Sequence, residues 1–223
     1  MSQGAFNYYL NDLGITGKSP LVFYDFTSYS GDGSNDFLRS VESGDSFFSG
    51  QISNNSSSFT GNTYGSGYFS NQYVDITHAT GLASPTATFI FSQHKSGRDP
   101  GTIFSNLSGQ SGYEIGINAA NKLYFNHYIN GEPAINTLNI IPGEKNIYGV
   151  TLGKGAVNMF RMNPENSGSL GFYNFQTQSF SIPPYGVTTT SEWRLGSGEY
   201  NYKGWMDYFL YFNQPVGNDN ARR

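Results

Sequence analysis

The sequence predicts an all-β chain folded as a two-sheet antiparallel β-sandwich. Short apolar runs recur at spacings of about 8–12 residues, which is typical of sandwich strands. Turns rich in Gly and Asn separate these runs, and the 223 residues include 28 glycines. Aromatic residues make up 17% of the chain, and Phe and Tyr supply the large buried areas that a single core needs.

The N-terminal residues differ from this pattern. Residues 5–13 place four apolar side chains on one face of a helix, namely Phe6, Tyr9, Leu10 and Leu13. Gly14 then ends the helical pattern. We therefore expect residues 1–19 to form a short leader with one or two helical turns, packed on the domain or on a partner chain.

The remaining chain forms one predicted domain, because no linker divides residues 20–213. Two pairs of strands are predicted as hairpins, one across residues 118–121 and one across residues 153–155. Residues 214–223 are polar and are predicted to be a flexible tail. The predicted strands are residues 21–26, 47–52, 72–77, 87–93, 102–105, 113–117, 122–128, 146–152, 156–161, 172–180, 192–195 and 204–212.

Composition excludes several classes of protein. Charged residues make up 13% of the chain and the formal net charge is −4, which argues against a nucleic-acid-binding protein. There is no cysteine, so no disulfide scaffold or thiolate metal site can form. No apolar run reaches the ~18 residues that a membrane-spanning helix needs. The first residues carry no positive or apolar segment typical of a signal peptide, so we expect synthesis in the cytoplasm.

Several stretches, taken in order, resemble a known family. They are residues 21–26, residues 67–76 followed by 87–91, residues 112–125, residues 193–197 and residues 202–213. Together they are similar to the laminin-G-like domains of the concanavalin A-like lectin/glucanase superfamily, of the kind found in bacteriophage structural proteins. The resemblance covers about residues 20–213 and implies a concanavalin A-like jelly roll. The fold alone does not imply a function, because it hosts hydrolases, lectins and adhesion modules.

The sequence argues against an enzyme. Glycosidases of this superfamily carry a Glu-x-Asp-x-x-Glu motif or a close variant on one strand, and retaining chemistry needs two carboxyl groups about 5 Å apart. This chain lacks the motif, and Glu114 stands alone in its strand. No Gly-x-Ser-x-Gly nucleophile turn is present either. We therefore predict no catalytic residue.

Calcium is the one cofactor that the resemblance suggests. Asp207 and Asp25 lie in the segments that are similar to the family, and they are the candidate metal ligands. Carboxylate oxygens are ligands that calcium prefers. The family's usual Asp before the second motif is Thr60 here, which counts against the site. The alternative is that Asp207 accepts hydrogen bonds from backbone N–H groups at a bend of a strand and has a structural role.

A glycan-binding surface needs aromatic rings beside amide groups, because sugars offer apolar C–H faces and hydroxyl groups. Two loops provide this combination. The candidate ligand-binding residues are Asn62, Tyr64, Tyr200, Asn201 and Tyr202. The alternative is that a chain so rich in aromatic residues simply places some tyrosines at its surface. Trp193 alternates with core positions and is expected inside.

These observations together predict a non-catalytic lectin-like sandwich that belongs to a virion, as a phage tail, fibre or capsid-associated protein made in the host cytoplasm. Such a module would act in host-surface glycan binding or in assembly, with other virion proteins or further copies of itself as partners, and with no nucleic acid or membrane insertion. One alternative is a secreted or cell-surface carbohydrate-binding module in the extracellular space. Another is a polysaccharide-degrading enzyme with an unusual site.

Overall fold

A computed structural model of the chain describes two antiparallel β-sheets. Among the described residues there is no helix, and none of their segments is a helix long and apolar enough to cross a membrane. The predicted leader, the tail and the candidate site residues Asn62 and Tyr64 fall outside the described part. The structure describes residues 22–26, 37–38, 50–53, 67–70, 73–76, 87–94, 99–107, 112–129, 132–139, 146–153, 156–162, 176–179, 193–196, 198 and 200–212.

Fifteen strands lie within these residues. They are β1 Val22–Asp25, β2 Phe37–Leu38, β3 Gly50–Ser53, β4 Gly67–Ser70, β5 Tyr73–Ile76, β6 Ala87–His94, β7 Gly101–Ser105, β8 Gly112–Ile117, β9 Lys122–Ile129, β10 Glu132–Asn139, β11 Asn146–Gly153, β12 Ala156–Met162, β13 Gln176–Ser179, β14 Trp193–Leu195 and β15 Lys203–Phe212.

The first sheet has seven strands. Six follow the order β1-β15-β6-β11-β12-β13, and the seventh, β4, pairs with the first half of β15 on the same edge on which β1 pairs with the second half. The second sheet has eight strands in the order β10-β9-β8-β7-β14-β5-β3-β2. Neighbouring strands pair antiparallel in both sheets. Strands that are adjacent in space are often distant in sequence, as expected for a jelly roll.

The core lies between the two sheets and is largely aromatic. Phe89 of β6 packs on Phe104 of β7 with ring centroids 4.8 Å apart. Trp193 of β14 meets Tyr211 of β15 edge to face at 5.0 Å. Phe209 stacks on Phe104 at 5.8 Å. These contacts join the centres of the two sheets, and edge-to-face and offset pairs of this kind stabilise a core beyond the area they bury.

The predicted fold class is confirmed: the chain is an all-β, two-sheet antiparallel sandwich. Both predicted hairpins are present, β8 with β9 and β11 with β12. The first turns tightly because Asn118 Oδ1 accepts hydrogen bonds from the backbone N–H groups of Ala120 and Lys122, and Asn121 adopts a positive φ of 56°. Trp193 is 2% exposed, as expected of a core residue.

Three strands were not predicted, namely β2, β4 and β10. Strand β10 contains Pro133, which argues against a strand in the middle of a sheet. Its position at the end of the second sheet explains the difference, since among the described strands β10 pairs with β9 alone and a proline can sit on an edge strand. Strand β2 is a two-residue pairing in a Gly- and Ser-rich stretch, which leaves little periodicity to detect.

Candidate functional site

The segment between β14 and β15 crosses the start of β7 and forms the candidate site. Of this segment the structure describes Gly196, Gly198 and residues 200–202, which we call the β14–β15 loop. The backbone N–H of Thr102 donates to the carbonyl of Tyr200 at 3.0 Å, and the Tyr200 N–H donates to Thr102 Oγ1 at 3.3 Å. Thr102 and Asn201 form an isolated parallel bridge. The loop is thus attached to the second sheet by one main-chain hydrogen bond and one bond to the Thr102 hydroxyl oxygen.

An irregularity in β7 provides another attachment. The pairing of β7 with β8 shifts between Thr102 and Phe104, so Ile103 is the extra residue. The Ile103 carbonyl accepts a hydrogen bond from Gly196 N–H at 2.8 Å. Gly196 has a φ of 84°, which a residue with a side chain rarely adopts. The bulge therefore directs the Ile103 carbonyl towards Gly196 at the start of the loop, and bulges often reorient a group in this way.

Tyr202 joins the loop to the first sheet. Its side chain is fully buried, and its ring lies 6.0 Å from the Phe69 ring of β4. Its hydroxyl group is 3.0 Å from Gln93 Oε1 of β6, to which it donates. Its backbone N–H donates to the Gly196 carbonyl at 2.9 Å. The structure therefore places Tyr202 in the core, where it anchors the loop and presents no surface to a ligand.

Tyr200 and Asn201 face the solvent. Tyr200 is 45% exposed, and it is the one large hydrophobic residue among the described residues that is exposed. Asn201 is also exposed. Two consecutive exposed residues, one with an aromatic ring and one with an amide, thus lie on a loop whose backbone is hydrogen-bonded to the second sheet and whose Tyr202 side chain is hydrogen-bonded to the first. Asn62 and Tyr64, the other predicted ligand-binding residues, lie outside the described residues, and their role stays a prediction.

The loop lies on a layer of buried polar groups. Thr102 and Glu114 are both fully buried, and a Cβ atom added to Gly198 would meet Glu114 Oε2 and would lie 2.5 Å from Thr102 Cγ2. Tyr124 donates its hydroxyl hydrogen to Glu114 Oε1 at 2.7 Å. Gly198 therefore lets the loop backbone approach this layer closely, as a glycine at a tight contact does.

Asp207, a predicted metal ligand, lies at a second irregularity. The pairing of β15 with β6 shifts between Met206 and Tyr208, so Asp207 is the extra residue. Its side chain is 1% exposed, and its Oδ2 accepts a hydrogen bond from Ser92 Oγ at 3.0 Å. Its carbonyl accepts from the Phe26 N–H at 2.8 Å. This hydrogen bond to the side chain thus comes from a hydroxyl group, and the backbone N–H of Phe26 binds the main-chain carbonyl of Asp207.

Asp25, the other predicted metal ligand, ends β1 opposite Tyr208, one residue from Asp207. The position of the Asp25 side chain is outside the described part of the structure. Among the described residues no three His, Asp or Glu side chains come together as a metal site would require. The calcium prediction therefore stays a prediction.

The two buried acids of the described residues lie in different sheets. Within the described residues the buried carboxylates are Glu114 and Asp207. Glu114 lies in β8 of the second sheet, and Asp207 lies in β15 of the first. Each has a hydroxyl partner of its own, Tyr124 and Ser92 respectively. Retaining glycoside hydrolysis would need two such groups about 5 Å apart on either side of one bond.

Comparison with known proteins supports the fold and identifies no family. No protein-family model matches the chain, and no curated protein matches it. The structure is similar to the binding domain of botulinum neurotoxin serotype D, with a TM-score of 0.64, 10% identity, and coverage of 94% of this chain and 51% of that one. It is also similar to the binding domain of botulinum neurotoxin DC in complex with SialylT, with a TM-score of 0.60, 10% identity, and coverage of 92% and 50%.

A further similar structure is that of NanB with optactamide, with a TM-score of 0.52, 11% identity, and coverage of 71% of this chain and 27% of that one. The chain thus spans about half of the toxin binding domains and about a quarter of the NanB chain. At these identities the similarity concerns the fold.

Sequence reasoning found the exposed residues of the loop and missed what holds them. Thr102 and Glu114 were not predicted to take part, because their contacts with the loop bridge 84 or more positions of sequence. Glu114 did carry a signal, since an isolated acid stood inside an otherwise apolar strand. Gly198 carried a weaker one, because glycines are common in loops of this chain.

Proposed function

We propose that the chain is a non-catalytic, lectin-like module that binds a glycan at Tyr200 and Asn201. The observation that carries the proposal is the 45% exposed ring of Tyr200 on a loop that is hydrogen-bonded to both sheets. An aromatic face packs on the C–H groups of a sugar, and the Asn201 amide offers a donor and an acceptor to hydroxyl groups. Because the loop is fixed before binding, little conformational entropy is lost.

The first ligand class to test is a sialylated glycan. Support comes from the similarity to a toxin binding domain described in complex with SialylT. The separate positions of Glu114 and Asp207 support a binding role over a hydrolytic one.

For the biological setting, we propose a virion protein of a phage that binds the host surface or contributes to assembly. Support comes from the laminin-G-like sequence resemblance and from the cysteine-free composition. Several copies on one particle would add avidity to weak single sites. A secreted or cell-surface module with the same site is the alternative, and detection of the chain in purified phage particles by mass spectrometry would decide between them.

A glycan array tests the proposed function, run once with calcium and once with EDTA. It should include matched sialylated and unsialylated forms of the same oligosaccharides. Binding to the sialylated forms in both buffers is the expected result. Binding that vanishes in EDTA would keep the glycan site and add a metal. Absence of binding by the folded protein would overturn the glycan role and favour assembly.

A further inference from the structure

Glu114 is a buried acid that is not itself part of the exposed Tyr200–Asn201 surface. It is fully buried in the middle of β8, while its neighbours Tyr113 and Ile115 belong to the core between the sheets. Alternation along the strand therefore places Glu114 on the opposite face of the second sheet. A carboxylate out of water is costly unless its oxygens are hydrogen-bonded. The burial of Glu114 on this face therefore has to be explained by the groups that surround its two oxygens.

One carboxylate oxygen is held by the neighbouring strand. Tyr124 of β9 donates to Glu114 Oε1 at 2.7 Å, and the Tyr124 side chain is 8% exposed. To reach Glu114 the ring passes over Gly116, where an added Cβ would lie 2.5 Å from the Tyr124 hydroxyl oxygen. The residue at position 116 must therefore lack a side chain for this hydrogen bond to form. Two residues thus fix the orientation of the carboxylate.

The other carboxylate oxygen faces the β14–β15 loop. Gly198 packs so closely that a Cβ there would collide with Glu114 Oε2 and with both terminal atoms of Thr102, at 2.5 Å from Cγ2 and 2.9 Å from Oγ1. Thr102 also accepts from the Tyr200 N–H. The loop therefore packs on Glu114 and Thr102 at Gly198, which precedes the exposed Tyr200 by two residues.

We propose that Glu114 is the positioning residue of the Tyr200–Asn201 surface. Tyr124 fixes the Glu114 carboxylate, and the carboxylate contacts the loop at Gly198. The distance of the loop from the second sheet then determines the position of the Tyr200 ring and the Asn201 amide. The inference deepens the proposed function and rests on it for the ligand. Its structural part is independent of any ligand, because it states which side chains hold the loop.

Hydrogen–deuterium exchange of the full chain tests the structural part. Glu114→Gln keeps the size of the side chain and replaces one carboxyl oxygen with an amide nitrogen, and Tyr124→Phe removes only the hydroxyl group that binds Glu114. We expect the amides of Tyr200 and Tyr202 to exchange about tenfold faster in both variants, since their hydrogen bonds weaken. Amides of β6 and β11, in the other sheet, should keep their wild-type rates.

Tyr113→Phe is the matched control. Tyr113 lies in β8, next to the strand of Tyr124, and its side chain is on the core face of the same sheet. Like Tyr124→Phe, this change removes the hydroxyl group of a buried tyrosine. It should lower the stability of the fold without a selective change at the loop. Wild-type exchange of the loop amides in Glu114→Gln and Tyr124→Phe would overturn the proposal. A uniform rise across both sheets, as for general destabilisation, would overturn it as well.

A binding measurement on the same variants separates this inference from the proposed function. Against an immobilised 3′-sialyllactose surface, Glu114→Gln and Tyr124→Phe should weaken binding about tenfold, and Tyr113→Phe should bind as the wild type does. If the wild type does not bind, the proposed ligand is wrong, and the exchange result still decides the positioning role. If the variants bind normally while their loops exchange faster, the position of the ring and amide does not depend on Glu114, and the claim that Glu114 positions the binding surface is wrong.

Discussion

Thr102 and Tyr200, 98 positions apart in sequence, are joined by two hydrogen bonds, one from each backbone N–H. The Thr102 N–H binds the Tyr200 carbonyl, and the Tyr200 N–H binds the Thr102 hydroxyl oxygen. This pair fixes the loop that carries the exposed ring to the second sheet. The threonine hydroxyl is the part of this attachment that a substitution can remove without changing the backbone.

Thr102→Val should weaken the attachment at nearly constant volume. It removes the acceptor of the Tyr200 N–H, which we expect to lower the free energy of unfolding by about 1 kcal/mol. Thr102→Ser keeps the oxygen and should restore most of the loss. The measurement is urea unfolding combined with hydrogen exchange at the Tyr200 amide. Thr88→Val is the control, since it removes a buried hydroxyl that bonds to Thr151 in the other sheet. Equal exchange at Tyr200 in both variants would contradict this role of Thr102.

Gly198→Ala should displace the loop. The added methyl group meets Glu114 and Thr102, and neither is free to move, because Tyr124 holds the first and backbone pairing holds the second. Overpacking of this kind costs about 1–3 kcal/mol. We expect weaker glycan binding together with a lower melting temperature. Gly198→Ala combined with Thr102→Ser, which removes one of the collisions, should recover part of both. A variant as stable as the wild type would show that the loop does not lie on this layer.

Ser92→Ala should destabilise the fold because it removes a hydrogen bond to the buried carboxylate of Asp207. Hydrogen bonds to charged groups contribute about 1.5–3 kcal/mol, and we expect a loss of that order in urea unfolding. If Asp207 has a structural role, the loss is the same in calcium and in EDTA. A melting temperature of the wild type that falls in EDTA, with no such dependence in Asp207→Asn, would instead identify Asp207 as a calcium ligand.

Stability should fall above pH 10 because several tyrosines are buried. Burial raises the pKa of Tyr113 to about 12, and burial also raises the pKa of Tyr24 and of Tyr211, the latter with a smaller contribution from Tyr113. In the unfolded chain these groups lose their protons near pH 10. The unfolded state then binds fewer protons than the folded state, so the free energy of unfolding decreases as the pH rises.

Each such tyrosine contributes a slope of up to about 1.4 kcal/mol per pH unit above pH 10, and for Tyr113 the decrease ends near pH 12. Urea midpoints measured from pH 9 to pH 11 give the slope. Tyr113→Phe should reduce it, because phenylalanine has no proton to lose. A midpoint that does not change over this range would contradict the burial of the three hydroxyl groups.

Much of the fold could be predicted from the sequence because the strands that form its centre have clear local patterns. Strand β6 was expected over residues 87–93 and spans Ala87–His94, and the alternation of Trp193 and Leu195 placed both in the core. The strands that were missed lack such a pattern. β10 has a proline, β2 has two residues, and β4 lies among glycines and serines.

The site could be predicted only in part, for a physical reason. Exposure of Tyr200 and Asn201 follows from their place in a polar loop, which local sequence reveals. Burial of Tyr202 depends on the partners Phe69 and Gln93, which are more than 100 positions earlier in the chain. The supporting role of Glu114 likewise depends on Gly198. Contacts between distant segments leave no periodic trace in either segment alone.

The most direct test of the account is binding of the wild type, Tyr200→Phe and Tyr200→Ala to a surface that carries sialylated glycans. Because the Tyr200 side chain is exposed, none of these changes should alter the free energy of unfolding by more than about 0.5 kcal/mol. We expect Tyr200→Phe to keep the wild-type affinity and Tyr200→Ala to bind about tenfold more weakly. Lys122→Ala, a change at an exposed residue, is the control and should bind as the wild type does. Wild-type affinity in a folded Tyr200→Ala variant would contradict the claim that this loop is the binding surface.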